Sequence, residues 1–385
     1  MANSLTNVLP QLLAQGLVAL RENAIMPRLV NTGYSPSAGS KGSTVDIPVS
    51  SAITANTVAP ATTGQAVTDI SPTNKQIVLD QWKEAAFTLS DKEREEAMNG
   101  TIPMQATEAI KALANAVDQY ILGKYTGIYG FGGAAGTTPF ASNLSEYVNA
   151  RKELNRNLSD PDPRYCVIDE DADANALQLS NLLQADQRGD QETIINGRIG
   201  RILAAQWFLD QNIPTHTAGT IINGSSAKVA LANGALAAGV STMAVDHSTL
   251  TGTVVLGDVF TFAGHSGTYS VTNTSAVTAS GNAMTGITFT PDLRAAVADN
   301  EAVTFQGDHV VNLLFHRDCF ALATRPLMDN DASELGSLIM SDVDEKSGLT
   351  LRLEISRQHK QTRFAYDILY GAALVRPEFG ARILG

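Results

Sequence analysis

The hydrophobic positions of this chain follow three different rhythms, and each predicts a different kind of element. The first is helical. Leu9, Leu12, Leu13, Leu17 and Leu20 recur on one face between residues 5 and 21, the spacing of a short amphipathic helix that must lie against a surface to stay folded. A stronger pattern runs from Pro103 to Thr126, where Ala106, Ile110, Leu113, Val117, Ile121 and Tyr125 recur in steps of three or four. Pro103 suits a first helical turn, where its missing N–H is no loss. A helix of that length is roughly 36 Å long, enough to span a domain. Further helices are predicted over 143–158, with Leu144, Tyr147, Val148 and Leu154 inward, and over 171–183.

The second rhythm is alternation. Thr44–Val49 reads as a strand, and Lys75–Thr88 (KQIVLDQWKEAAFT) resumes strand chemistry. The stretch between them is small, polar and uncharged except for Asp69. The two strands form a long hairpin whose connection of roughly two dozen residues is the kind usually reserved for function or a partner. A free two-stranded ribbon is marginal in water, so a neighbouring subunit is expected to order it. Strands are also predicted at Tyr165–Ile168, Leu349–Ile355 and Phe364–Val375, the last two joined by a turn over Gln358–Arg363. Between Ile194 and Leu209, Gly197 and Gly200 read as backbone-geometry glycines at a bend into a sheet. Helix, strand, helix and sheet in this order make an α/β layer.

The third rhythm is a run of short strands. Between Thr217 and Phe289 the only charged residues are Lys228, Asp246 and Asp258, and Thr, Ser, Gly, Ala and Val dominate. The segments VSTMAVD, VFTFAG, GTYSVT, GITFTP and AVTFQG follow one another between Gly, Asn and Asp turns, the mark of a small all-β module. From Val310 to Pro326 the earlier character returns, so this module interrupts another domain.

Composition narrows the class. A chain of 385 residues predicts two or three domains. The formal net charge of −12, with no Lys/Arg cluster, disfavours a nucleic-acid reader, which must neutralise phosphates. Cys166 and Cys319 sit in apolar runs and read as buried thiols of a protein made in a reducing cytoplasm. No run of 18 apolar residues predicts a membrane span, and the first residues lack the basic region of a signal peptide.

Candidate chemistry adds little. His316-Arg317-Asp318 matches a kinase triplet in an apolar strand without the rest of that signature. The Gly-rich stretch GIYGFGGAAGTTPF lacks the Gly-Lys-Ser/Thr of a phosphate loop and reads as a flexible linker. His216 and His309 flank the β module and can lie near each other, but with no evident third ligand they read as surface residues rather than a metal site. Asp169, Glu170, Asp171 and Asp173 read as charge at a helix N-terminus rather than cation ligands. No nucleophile, base and orienting group can be assembled, so neither an enzyme nor a cofactor or metal is expected.

The order of parts resembles the major capsid proteins of tailed bacteriophages, the Hong Kong 97 capsid fold. More closely it resembles the coat-protein family of short-tailed enterobacterial phages, which carry an inserted β-barrel domain. The local matches are Gly257-Asp258-Val259-Phe260-Thr261-Phe262-Ala263-Gly264, Ile287-Thr288-Phe289-Thr290-Pro291, Ala150-Arg151-Lys152-Glu153-Leu154-Asn155-Arg156, and Leu369-Tyr370-Gly371-Ala372 followed by Arg376-Pro377-Glu378. The resemblance implies an α+β class. It implies an N-arm at 1–42, an E-loop at 43–90, a peripheral domain at 91–139 with a spine helix at 103–126, and an axial domain at 140–216 and 310–345. It also implies an inserted β domain at 217–309 and closing strands of the peripheral domain at 346–385.

It further implies a shell protein forming hexamers and pentamers around double-stranded DNA, with a separate scaffolding protein, since no helical prepeptide precedes the arm, and a portal protein. Such a protein resides in the virion and is assembled in the bacterial cytoplasm. The expected assembly contacts are Leu9, Leu13 and Leu17 of the arm, Val58, Ile70 and Trp82 of the E-loop, Gly197 and Gly200, and the spine helix with Ile110, Leu113, Val117 and Ile121. The negative charge would keep the wall from gripping packaged DNA. The alternatives are an encapsulin-like compartment shell and, less favoured, a β-rich adhesin.

Overall fold

The computed structural model describes residues 24–34, 44–49, 55, 57, 60, 72–92, 101–184, 195–327, 337–343 and 348–385. Leu9, Leu13, Leu17, Val58 and Ile70, and with them most of the expected arm and loop, lie outside the described residues. The chain divides into two compact units: Met1–Ala19, Thr32–Leu113 and Ala321–Val375 in the first, and Leu20–Asn31, Ala114–Phe320 and Arg376–Gly385 in the second.

The predicted long helix forms over Thr101–Leu122 and tightens into a 3-10 turn over Gly123–Gly127. It starts two residues before Pro103 and its α-helical part stops at Gly123, whose backbone freedom ends a helix readily. Its stripe is the core face: Ala106, Ile110, Leu113, Val117 and Ile121 are all buried. Residues up to Leu113 belong to the first unit and those from Ala114 to the second.

In the first unit, Thr44–Val49 pairs antiparallel with Thr73–Val78, from Thr44 opposite Val78 to Val49 opposite Thr73. One face of this ribbon buries Val45, Ile47 and Ile77 in a cluster with Leu79, Ala321, Ala323 and Val375. Pro48 is tolerated because a two-stranded ribbon leaves outward N–H positions unused. The single strand predicted over Lys75–Thr88 is two strands. Thr73–Val78 serves the ribbon, whereas Gln81–Ser90 pairs with Gln361–Leu374 in another sheet. Gly371 explains the break: a Cβ there would lie 2.0 Å from the Val78 carbonyl oxygen, so the backbones cross at contact distance. That second sheet has five strands, with Ser337–Val343, Thr350–Gln358, Gln361–Leu374 and Phe320–Arg325 in a row and Gln81–Ser90 added to Gln361–Leu374. Its hairpin is tighter than expected, with Gln358 opposite Gln361 and only His359 and Lys360 in the turn. Lys360 takes φ +55° to close it.

The second unit is built on a seven-stranded mixed sheet. Its order is Gly130–Gly133, Gly380–Leu384, His309–His316, Arg164–Ile168, Ala205–Leu209 and Arg201–Ile202, with Thr215–His216 also pairing on His309–His316. The Gly-rich stretch read as a linker therefore contains a strand, parallel to Gly380–Leu384. Glycine is required there. A Cβ on Gly132 would lie 2.4 Å from the Glu146 carbonyl oxygen, because the Ser145–Arg156 helix packs directly on this strand. That helix buries Tyr147, Ala150, Glu153 and Leu154. Val148, expected inward, is 51% exposed. The predicted helix over 171–183 is two short helices, Glu170–Gln178 and Ser180–Leu183, interrupted at the extended Leu179. Asp169 stands at the first helix's N-cap position, with Glu170, Asp171 and Asp173 in its first turn, as the dipole favours.

The β module is a closed barrel of six strands: Thr242–Asp246, Ala283–Thr290, Tyr269–Val271, Val259–Phe262, Ala302–Phe305 and Val229–Ala232. The last, VALA, was not among the expected strands, because four apolar residues carry no alternation. Inside, the Phe260 ring sits 5.2–5.6 Å from those of Phe262, Tyr269, Phe289 and Phe305, mostly in the tilted or edge-on geometries that aromatic quadrupoles prefer. Cys166 and Cys319 are buried free thiols, as their apolar runs predicted. Burial raises the pKa of both thiols.

Candidate functional site

The polar chemistry of the second unit collects where the barrel meets the seven-stranded sheet. The sheet contributes His216, His309 and Arg382, the turn after the long helix contributes Tyr125 and Thr126, and the barrel contributes Gly257, Asp258 and Ser270. His216 and His309 are opposite each other on paired strands, with ring centroids 5.1 Å apart. Their proximity agrees with the sequence. Their expected surface position does not: both are buried, because each side chain finds polar partners inside.

His216 Nε2 lies 3.0 Å from Asp258 Oδ1 and its Nδ1 lies 2.9 Å from the Tyr125 hydroxyl. A carboxylate only accepts, so Nε2–H donates to Asp258 and, in the neutral ring, Nδ1 accepts from Tyr125. Asp258 is otherwise held by backbone donors. Gly219 N–H lies 3.1 and 3.2 Å from its two oxygens, and Val255 N–H donates to Oδ2 at 2.8 Å. Gly219 must lack a side chain, since a Cβ would meet Asp258 Oδ2 at 2.8 Å and the Thr253 carbonyl oxygen at 2.2 Å.

Arg382 is the cation of this seat. It is 0% exposed. Its Nη1 donates to the Gly257 carbonyl at 2.7 Å, and its Nη2 donates to the Thr126 carbonyl at 3.1 Å and to Ser270 Oγ at 3.2 Å. Its guanidinium carbon stands 5.1 Å from the centroid of the Tyr125 ring, a cation–π contact. Ser270 Oγ also donates to the Thr126 carbonyl at 3.0 Å. One guanidinium thus ties the sheet to two separate segments of the barrel.

Burial sets the electrostatics here. It lowers Arg382 to about 9, with Tyr125 and Asp258 opposing the shift. It raises Tyr125, against the pull of Arg382. It pushes His309 down to about 4, a shift to which Arg382 and His216 add. Around the rim, Ala218 N–H donates to Asp308 and Lys228 donates to the Gly219 carbonyl. Arg156 donates to the Ser266 carbonyl, and Arg294 donates to Asn157. The Tyr–His–Asp sequence of contacts has the order of a proton relay, but every oxygen of Asp258 is occupied and all three side chains are buried. Its chemical capacity is to fasten two sheets, not to reach a substrate.

The sequence-predicted contact residues do not converge on this seat. Trp82 is 62% exposed on the five-stranded sheet of the first unit. Its indole N–H donates to Asp367 at 2.8 Å, and Asp367 in turn receives both arms of Arg352 at 2.8 and 2.6 Å. The ring is therefore presented to solvent in a fixed orientation. Gly197 and Gly200, with φ +63° and +71°, are turn glycines as expected. They line a cleft of about 620 Å³ with Arg28, Arg198, Arg201 and Trp207. Ile110, Leu113, Val117 and Ile121 are core residues. Sequence reasoning missed Arg382, Asp258 and Tyr125. The only available signal was that Asp258 is one of three charged residues between Thr217 and Phe289.

Among the described residues, no three His, Cys, Asp or Glu side chains group as metal ligands do. No described helix is long and apolar enough to cross a membrane.

No protein-family model and no curated protein sequence matches the chain. Solved structures do match. A chain from Mycobacterium phage Che8 superposes with a TM-score of 0.51 at 16% identity, covering 93% of this chain and 90% of its own length. A chain of the capsid structure of the cyanophage P-SCSP1u gives a TM-score of 0.50 at 13% identity, over 93% and 87%. At these identities the likeness speaks to fold, and it gives this chain an α+β, phage-capsid-like fold.

Proposed function

We propose that the chain is a major capsid protein that self-assembles into the icosahedral head shell enclosing the double-stranded DNA of a tailed phage. The observation that carries this reading is the fold likeness, which extends over nine-tenths of this chain rather than over one shared module. In this reading residues 1–42 are the N-arm, 43–90 the E-loop, and 91–139 with 346–385 the peripheral domain around the spine helix of 103–126, except that the strands Gly130–Gly133 and Gly380–Leu384 pair in the seven-stranded sheet of the second unit. Residues 140–216 and 310–345 are the axial domain of the Hong Kong 97 plan, and 217–309 is its inserted β domain, as in the coat proteins of short-tailed enterobacterial phages.

Exposed apolar side chains fit subunits that complete their burial by assembly, as obligate interfaces do. Trp82 suits such an interface, because aromatic anchors held rigid before contact dominate binding energy. The arm leucines Leu9, Leu13 and Leu17 and the loop residues Val58 and Ile70 are assigned to contacts of the same kind. The partners are further copies of this chain in hexamers and pentamers, a separate scaffolding protein, a portal protein and packaged DNA held without sequence readout. The product is a virion shell assembled in the bacterial cytoplasm.

The test is electron microscopy of the chain expressed with and without its phage's scaffolding gene, alongside sedimentation. Closed shells of uniform diameter are the expected outcome. A uniform small oligomer under both conditions, with no shells at any salt concentration, overturns the reading.

A further inference from the structure

The seat contains two buried nitrogens that its hydrogen bonds leave unfinished, Arg382 Nε and His309 Nε2, and of the two side chains His309 is the one that changes charge at acid pH. His309 Nδ1 lies 2.8 Å from the Gly307 carbonyl oxygen, which can only accept, so Nδ1 carries the proton. Its Nε2 is buried and has no partner. The ring is 2% exposed. The charged and titratable groups facing it come from every element of the seat. Arg382 comes from the Gly380–Leu384 strand, His216 from the Thr215–His216 strand and Asp258 from the barrel. Tyr125, from the turn after the long helix, bonds His216 and lies beneath Arg382.

The only carboxylate among these groups is already committed to His216, Gly219 and Val255. The guanidinium has no carboxylate of its own and relies on two carbonyls and a hydroxyl. A second positive charge on the His309 ring has no acceptor to bond and a buried cation to repel it. A protonated Nε2 therefore needs water as its acceptor.

We propose that His309 is an acid-sensitive latch: its protonation releases the barrel from the seven-stranded sheet while the six barrel strands stay paired. The separation of these two events follows from where the forces lie. The barrel is held by an aromatic core with a single imidazole, His265, against Phe262 and paired with Glu301, whereas the seat depends on a few polar contacts around His216 and His309. The inference does not depend on shell assembly and is tested on the unassembled chain.

The direction follows from linkage. The ordinary histidine value of 6.5 applies in the released state and about 4 in the seated state. The released state therefore binds more protons between these values, so the seat is firm above pH 6.5 and weakens as pH falls toward 4. Across that window the opening constant rises about a hundred-fold.

The measurement is hydrogen–deuterium exchange of the full chain at pH 7.5 and pH 4, corrected for intrinsic rates. The Arg382 guanidinium N–H groups, which donate from the sheet to Gly257 and Ser270 of the barrel, report the seat by NMR detection, and the amides of Ala263 and Phe305, which donate to the Ala302 and Lys228 carbonyls, report the barrel. The expected result is acceleration at the Arg382 guanidinium of about a hundred-fold with much smaller change in the barrel amides. In His309→Asn, whose side-chain N–H still reaches the Gly307 carbonyl, that acceleration is lost. Equal acceleration in wild type and variant, or acceleration confined to neither region, overturns the proposal. An NMR titration of the wild-type ring keeps the test independent of the variant's folding: titration near pH 4 supports the latch, and titration near 6.5 overturns it.

Discussion

The barrel and the ribbon of the first unit are both antiparallel β-structure, yet they solve the problem of a sheet's edges in opposite ways. The barrel closes, so every strand has two neighbours and its aromatic residues meet inside. The ribbon has two strands, buries one face in a cluster of small and β-branched residues, and leaves Val78 44% exposed. A closed barrel carries its own core. An open ribbon and the exposed Trp82 beside it gain further stability only from something brought to them. Self-sufficiency here is a property of topology, since both regions use strand-forming residues in comparable proportion.

The largest expected effect tests the barrel's autonomy. Phe260→Ala removes the ring at the centre of five aromatic side chains and is expected to cost about 3–5 kcal/mol. In denaturant unfolding this loss falls on the barrel, with the five-stranded sheet of the first unit keeping its wild-type exchange protection. Equal loss in both would end the comparison. An intermediate effect tests the platform under Trp82. Asp367→Ala removes the carboxylate that both arms of Arg352 reach, with Glu354 no nearer than 3.9 Å, and is expected to cost about 2–3 kcal/mol in the first unit. The smallest effect on the fold is expected from Trp82→Ala, under about 1 kcal/mol, because the ring is exposed. Under the proposed function the same change strongly reduces shell yield in sedimentation. A Trp82→Ala chain that assembles normally would remove the exposed ring from the interface.

The contrast also explains what the sequence disclosed. The long helix was legible because Ile110, Leu113, Val117 and Ile121 keep one face over many turns. The barrel was legible because its composition changes abruptly at Thr217 and its turns are marked by glycine and asparagine. The Gly130–Gly133 strand was not, since GFGG has no strand propensity. It is a strand because Leu384 and its neighbours supply the pairing and the helix above tolerates no side chain. The seat was least legible. Arg382 sits in an ordinary apolar run, Asp258 in a Gly-Asp turn signal, and His216 and His309 are ninety-three positions apart. Their meeting is a product of the tertiary fold, and no local period encodes it. Exposed Val148 shows the converse: helical spacing placed it inward, but the packing of Ala150 against Gly132 rotates the helix away from it.

The fastening of the barrel by Arg382 has a consequence for the order of events on the ribosome. All six barrel strands lie between Val229 and Phe305, so the barrel can close as soon as that stretch has emerged. The guanidinium that anchors it is translated much later, with the Gly380–Leu384 strand. For that interval the nascent chain carries a finished module on an unfinished support, free to turn on its two connections until the anchor arrives.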